Sequence, residues 1–351
     1  MAKPLKSVIG VDLGRFSLKA VLMHRRSADR VAVTHYAARQ REEATESADF
    51  LASELKALFK DLGGSAKSCA AGISSDGALL RIIEQPDTPP AMLREALRLN
   101  GMVLLNQDCR EFVIDCDRVL EQAPSGENPT GESDSNGNSR KRFLVGGVPR
   151  TQVNHIASAL ESSGPAIGAL QLAPVCLFNA FEFAQPQAFN EHAFFLVDVG
   201  HTNSTVMMGV KRELVLVRTI DFGGKALLET LMAQSGETRD GVLKALEHED
   251  EVMVENARVA LGGLTREIGS SIGFFEGRRE ETISHIHVSG GAAKSATLLK
   301  IMSEEVHLPC EAWNPVESCE IELASNKRDD FAGHSLDLHV ACGAAAEFLN
   351  A

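Results

Sequence analysis

Two stretches far apart in the chain share one design: "VIGVDLGRFSLKAVLM" (Val8–Met23) and "FFLVDVGHTNSTVMMGV" (Phe194–Val210). Each is an apolar, β-branched run interrupted by one carboxylate, then a glycine, then small or polar residues, then a second apolar run. Laid together without gaps, Ile9-Gly10-Val11-Asp12-Leu13-Gly14 falls over Phe195-Leu196-Val197-Asp198-Val199-Gly200, and Ser17 and Lys19 fall over Asn203 and Thr205. Such a repeat is the first thing to settle in a sequence, because it fixes the architecture. Here the unit is too large for a solenoid. It predicts two half-molecules, each opening β-β-β and then alternating helix and strand.

The rest of the chain fits that plan. Val8–Leu13, Lys19–Met23 and Val31–Ala37 read as three strands, and Phe194–Val199, Ser204–Val210 and Glu213–Ile220 as three more. "SADFLASELKALFKDLGG" reads as a helix with Phe50, Leu51, Leu55, Leu58, Phe59 and Leu62 on one face. "SCAAGIS" reads as a buried strand, and Pro89-Pro90 open a helix to about Leu105. "EFVIDCDRVL" and "RKRFLVGGVP" read as the strands of a hairpin, joined by the polar, aperiodic run Glu121–Ser139, which reads as a long mobile loop. Thr151–Ser163 is a helix, and "AIGALQLAPVCLFNAFEF" a strand, a break at Pro174 and a helix. Val252–Phe275 has helical spacing, but Gly262, Gly263, Gly269 and Gly273 each cost roughly 1 kcal/mol against Ala, which argues against one straight helix. "HIHVSGG" is a strand ending in two glycines, with a helix expected from Ala292, and "HVACGAAAEFL" is a final helix.

Composition excludes several classes of function. The 351 residues are 44% hydrophobic and 24% charged, ordinary for a chain with a substantial core. The net charge of −13 and the lack of a dense Lys/Arg block argue against nucleic-acid binding. No h-region precedes the first strand and no run of about 18 apolar residues occurs, so neither a signal peptide nor direct membrane insertion is expected. Seven scattered cysteines without a CxxC pair read as reduced cytosolic thiols, not a zinc site.

Asp-x-Gly at a strand end has a physical use. The strand stops, Gly relaxes the turn, and successive backbone N–H groups can face one concavity that suits phosphate oxygens. The acid at its edge can hold Mg²⁺ directly or through water. Two such turns facing each other would grip a β/γ-phosphate tail. In "VSGGAAK", Gly290 and Gly291 allow close approach to a ligand, and a following helix start favours an α-phosphate or ribose. Each piece alone is most often an ordinary turn or cap. Their conjunction points to a nucleotide site.

This arrangement resembles the actin-like ATPase superfamily, which includes actin, sugar kinases and FtsA. Within it the chain is most similar to the type IV pilus assembly protein PilM family. "IGVDLGRFSLKA" follows the family's opening pattern at nearly every position, "LVDVGHTNSTV" and "RTIDFGGKAL" its second hairpin, and "IHVSGGAAKSATLLKIMSEEVHLPCEAWNP" its adenosine-side segment. "VPRTQVNHIASALESSGPAIGALQLAPVCLFNAF" is similar to the segment between its halves. The resemblance implies an α/β, actin-like (ribonuclease H-like) fold: duplicated βββαβαβα lobes around a nucleotide cleft, with a small inserted subdomain in the first lobe. The implied boundaries are residues 1–190 for the first lobe, with the insert at about 39–151 and the loop at 121–139, and 191–351 for the second.

The resemblance also implies the ligand contacts. Asp12 and Asp198 become the Mg²⁺-side acids, and Gly14 and Gly200 the phosphate turns. Ser17 and Lys19 in one loop, and Thr202, Asn203 and Ser204 in the other, meet the phosphates of ATP or ADP. Gly223 and Gly224 lie near the sugar, and Gly290 and Gly291 near the α-phosphate or adenosine. Lys244 and Glu247 are weaker ribose-side candidates that fit a solvated helix face better. Arg15, with Phe16, replaces small residues after the first Gly, and either adds a phosphate contact or fills the site itself. His201 replaces a small residue after the second. The family's acids before its ribose-side Lys are missing from "GETRDGVLKALE".

The implied role is a cytoplasmic scaffold, peripheral to the inner membrane, that binds ATP and the short N-terminal cytoplasmic tail of a PilN-like inner-membrane protein. Self-association is a further option, and catalysis is at most slow ATP hydrolysis. The alternatives are an actin-fold phosphotransferase of the sugar-kinase kind, for which no general base is evident, and a nucleotide-free interaction protein with a degenerate site. An FtsA-like membrane-bound filament fits less well, because the C-terminal helix has no basic face.

Overall fold

The two repeated hairpins open two sheets that share a five-strand order, the first with one further edge strand. The computed structural model describes residues 6–28, 30–41, 47–75, 77–120, 140–279 and 281–350. The first hairpin is β1 (Ser7–Leu13) and β2 (Ser17–Arg25), followed by β3 (Val31–Gln40). Their sheet runs β14-β3-β2-β1-β4-β8, with β4 at Ser68–Ile73, β8 at Ala166–Leu172 and β14 at Glu320–Ile321. The second sheet runs β11-β10-β9-β12-β13, with β9 at Ala193–Val199, β10 at Ser204–Val210, β11 at Glu213–Ile220, β12 at Ile286–Gly290 and β13 at Cys310–Ala312. In each sheet the hairpin is antiparallel and the next neighbour of its first strand is parallel. The expected duplication is therefore present in strand order and direction.

Helices cover both faces, as a parallel sheet core requires. α1 (Ala48–Leu62) and α3 (Arg150–Glu161) pack Leu55, Leu58, Leu62 and Leu160 against Ile9, Val11 and Leu22. Phe50, expected on the apolar face of α1, is 40% exposed. The second sheet is covered by α6 (Gly224–Ser235), α7 (Arg239–Glu247), α8 (Glu251–Glu276) and α9 (Ala296–Val306), which share one core with β9, β10 and β12. α8 is one continuous 26-residue helix, contrary to the expectation from its glycines. Its buried row from Met253 to Phe275 holds it against the sheet and outweighs their intrinsic cost.

α4 (Ala173–Ala184), continued by α5 (Pro186–Glu191), lies between the sheets. Cys176 faces the core of the first, while Leu177 and Phe181 face the second. α10 (Ser325–His334) and α11 (His339–Asn350) complete the first core through Phe331, Ala341, Ala344 and Ala345. A Cβ on Gly343 would lie 1.7 Å from the Cys176 carbonyl oxygen, so α11 and α4 touch at backbone distance. The small-residue run "ACGAAA" follows from that approach.

Three expected boundaries change. The division at 190/191 put everything from 191 to 351 in the second lobe, but β14 and α11 return to the first sheet and its core. The insert was placed at about 39–151, but α1 and β4 belong to the first sheet's layers. The separate small sheet is β5-β7-β6, with β5 at Leu79–Pro86, β6 at Phe112–Arg118 and β7 at Arg140–Pro149, covered by α2 (Pro90–Leu105). The hairpin β6–β7 is as expected, whereas β5 carries a pattern too mixed to read. The third change is a 3-10 turn, Gly291–Lys294, between β12 and α9, where a helix was expected from Ala292. The loop expected at 121–139 lies outside the described residues.

Candidate functional site

The two Asp-x-Gly turns are built alike. Asp12 pairs with Lys19 across β1–β2 and Asp198 with Thr205 across β9–β10, so residues 14–17 and 200–203 form loops of equal length. A Cβ on Gly14 would lie 2.6 Å from the Ser17 carbonyl oxygen, and one on Gly200 2.7 Å from that of Asn203. Neither turn has room for a side chain. The Gly200 N–H donates to the Asn203 carbonyl at 3.1 Å.

Each acid is held by a different neighbour. Asp12 is 4% exposed, and the Lys19 ammonium donates to its Oδ2 at 2.9 Å. Burial pushes the Lys19 pKa down. The Asp12 charge and hydrogen bond, with Asp337 and Asp198 further off, outweigh that and hold it above its usual range. The Ser289 hydroxyl donates to Asp198 Oδ1 at 2.7 Å, because β12 runs parallel to β9 with Ser289 beside Asp198. Burial raises the Asp198 pKa, opposed by the Ser289 bond and Lys19 and reinforced by Asp12. Charges felt by Lys19 thus come from β1, β9 and the 3-10 turn Ser335–Asp337, whose Asp337 is also ion-paired with Lys294. Asp337 and Ser289 were missed from sequence. Ser289 lies inside "VSGG", one residue before the glycines, and could have been read as the partner of the second acid.

The remaining candidates divide. Gly290 adopts φ +81°, and a Cβ there would meet the Val199 carbonyl oxygen at 2.2 Å, so β12 is pressed against the end of β9. Gly291 faces open space. Gly223 and Gly224 sit on the second turn itself: the Gly224 N–H donates to the Gly200 carbonyl at 2.8 Å and the Lys225 N–H to that of His201 at 2.9 Å. These first amides of α6 are engaged by protein, and their main effect is to brace the turn. Lys244 and Glu247 lie exposed on α7.

Phe16 and His201 reach across from the two loops and stack, with ring centroids 5.2 Å apart. Arg239, the first residue of α7, sets its guanidinium 5.3 Å from the Phe16 centroid. Among the described residues no group of three or more His, Cys, Asp or Glu is arranged to hold a metal by itself.

A second feature is an apolar groove where three parts of the molecule meet. Leu80 and Leu144 come from the small inserted sheet, Val119 from just beyond β6, Phe178 from α4, and Met207 and Leu214 from the second sheet. Its volume of about 190 Å³ suits one or two apolar side chains and is below the range typical of cofactor pockets.

Two sheets that share a five-strand order, each ending its first strand in Asp-x-Gly, define the actin-like ATPase fold. Residues 177–348 match the model of the family described as type IV pilus assembly protein PilM. It is similar in fold to the solved structure described as the PilM-PilN type IV pilus biogenesis complex, with a TM-score of 0.80 and 18% identity over 99% of both chains. It is also similar to the ethanolamine utilization protein EutJ from Carboxydothermus hydrogenoformans, with a TM-score of 0.53 and 12% identity over 99% of this chain and 91% of that one. No curated protein matches the sequence.

Proposed function

We propose that the chain is a PilM-like scaffold of a type IV pilus or related secretion assembly machine. It binds Mg-ATP or Mg-ADP between its two sheets and takes the short cytoplasmic tail of a PilN-like inner-membrane protein in the apolar groove. The observation that carries the nucleotide half is the matched pair of acids, Asp12 and Asp198, at the same register in two equal turns. Carboxylates are hard oxygen donors that suit Mg²⁺, and with no larger cluster beside them the ion would draw its other ligands from phosphate and water. Lys19, already paired to Asp12, would supply charge to the phosphates. The glycines at 14, 200, 290 and 291 would let backbone approach the ligand, with Arg15, Ser17, Thr202 and Asn203 in the loops.

Support for the tail comes from the groove and from the family. An apolar slot for a few side chains suits an extended peptide. No helix among the described residues is long and apolar enough to cross a membrane, so the proposed place at the inner membrane is reached through the partner. Reading the chain as a nucleotide-free interaction protein has one observation in its favour, the Phe16–His201 contact between the loops.

Calorimetric titration with Mg-ATP tests the nucleotide half. Binding by the wild-type chain, weakened at least about tenfold in Asp12→Ala, is expected. Absence of binding to the wild type at millimolar Mg-ATP overturns it. A labelled tail peptide tests the other half. Val119→Arg, which places a charge in the groove, should weaken the peptide by a similar factor without moving the melting temperature, and unchanged affinity removes the groove as the tail site.

A further inference from the structure

The contact between the two phosphate turns is not explained by the fold. Both turns are set by their glycines and backbone hydrogen bonds, and both hairpins keep the same register although their loop side chains differ. Phe16 and His201 belong to none of the hydrophobic cores described above and are only half-buried. They come from different sheets, yet their rings lie nearly parallel, 25° apart, in contact across the gap between the loops. Rings with centroids 5.2 Å apart leave no space for a phosphate between them. Arg239 adds a cation–π contact from a third element.

The surroundings are cationic. Burial, then Lys225, Arg15 and Arg239, hold the His201 imidazole below its usual range, with Glu229 opposing. A neutral imidazole packs well against Phe16.

We infer that the Phe16–His201 stack is a latch across the phosphate cradle, which a polyphosphate must part before it can touch both turns. The inference rests on the nucleotide reading and adds a regulation to that site. Parting the rings releases Arg239 from Phe16 and opens the cleft to the charges around His201, so the ligand exchanges a ring contact for charged ones. The fraction of molecules already open limits the apparent affinity. A chain without the latch therefore binds tighter, on the order of tenfold, which is the combined worth of one ring stack and one exposed cation–π contact.

The test uses the full chain as wild type, Phe16→Ala, His201→Ala, the double variant and Phe16→Tyr. Amide hydrogen exchange without added nucleotide reads the latch directly. Exchange at residues 14–17 and 200–204 should rise in either alanine variant, rise no further in the double variant, and stay at the wild-type level in Phe16→Tyr, which keeps the ring. Titration with Mg-ATP and with tripolyphosphate should show tighter binding in the alanine variants, non-additively. Equal affinity in wild type and Phe16→Ala overturns the latch and leaves the nucleotide reading standing. Weaker binding in Phe16→Ala also overturns it, by making the ring a ligand contact. If no variant binds either probe while exchange rises as stated, the contact holds the loops together and it is the nucleotide reading that falls. Unchanged exchange in both alanine variants overturns the latch whatever the titrations give.

Discussion

Asp198 shows at the scale of one residue what a half-buried acid costs a fold. Its half-buried carboxylate accepts from the Ser289 hydroxyl, near the charge of Asp12. Its pKa is raised, so the native chain holds this proton more tightly than the unfolded chain does. The sign follows: stability from this group is full below about 3.8 and is lost as pH climbs through the raised value, so at neutral pH the charged form is a burden. Asp198→Asn keeps an oxygen for Ser289 and removes the charge. It is expected to raise the melting temperature at pH 7 by about 1–2 °C, roughly 1 kcal/mol for a chain this long, while weakening the proposed Mg-ATP binding. Thermal melts at pH 7 and pH 4 check this. A gain at pH 4 as large as that at pH 7 would mean the charge is not its source. The acid itself was legible, since a lone carboxylate between apolar strand residues has few structural uses. Asp337 was not, because nothing local marks it; it joins the site only because the chain's end folds back over the first sheet.

Among elements, the small inserted sheet is tied to the second sheet by one buried carboxylate. Glu213, at the start of β11, is 4% exposed and accepts from Arg142 of β7 at 2.5 Å and from Arg279, just beyond α8, at 2.6 Å. Arg142 also donates to the Leu214 and Val215 carbonyls. Removing the acid takes a shared, buried charged acceptor away from both guanidinium groups. Glu213→Ala is therefore expected to destabilise by about 2 kcal/mol, the worth of losing hydrogen bonds to a charged acceptor. It should also raise hydrogen exchange in Leu79–Pro86 and Arg140–Pro149 before the rest of the chain. Uniform exchange across the molecule would show that Glu213 serves general stability and not this junction. None of this clamp was visible in sequence, because its charges come from three separate elements. The elements themselves mostly were. The hairpins followed from period-two apolar runs, and α1 from its leucine spacing. The continuity of α8 was underestimated because intrinsic glycine cost was weighed without the core that the helix buries. β5 was missed because its side chains alternate between two unlike neighbours.

The whole molecule depends on two histidines that must stay neutral. His339 opens α11 on the first sheet's core and donates through Nε2 to the Trp313 carbonyl, beside the second sheet's core, at 2.9 Å. His287, on β12, packs at 4.7 Å from the Phe181 ring of the central helix α4. Burial pushes both down to about 4, with His285 adding to the effect on His287 and Lys19 opposing protonation of His339. A depressed folded pKa gives stability that is full above the unfolded value of 6.5 and is lost as pH falls from 6.5 towards 4. Each group can withdraw about 3 kcal/mol over that range, and two together approach the whole stability of an ordinary domain. His24, His35 and His201, also lowered, act in the same sense, while Asp198 acts against them. Carboxylates held low by arginine, such as Glu304 and Glu322, begin to matter only below about 4.5. Between pH 6.5 and 4.5 the histidines therefore dominate. Urea midpoints across this interval should fall with pH in the wild type. His339→Gln keeps a donor for the Trp313 carbonyl but cannot titrate, and should fall less steeply. An unchanged slope in that variant would place the acid sensitivity elsewhere, and His287→Gln would then be the variant that carries it.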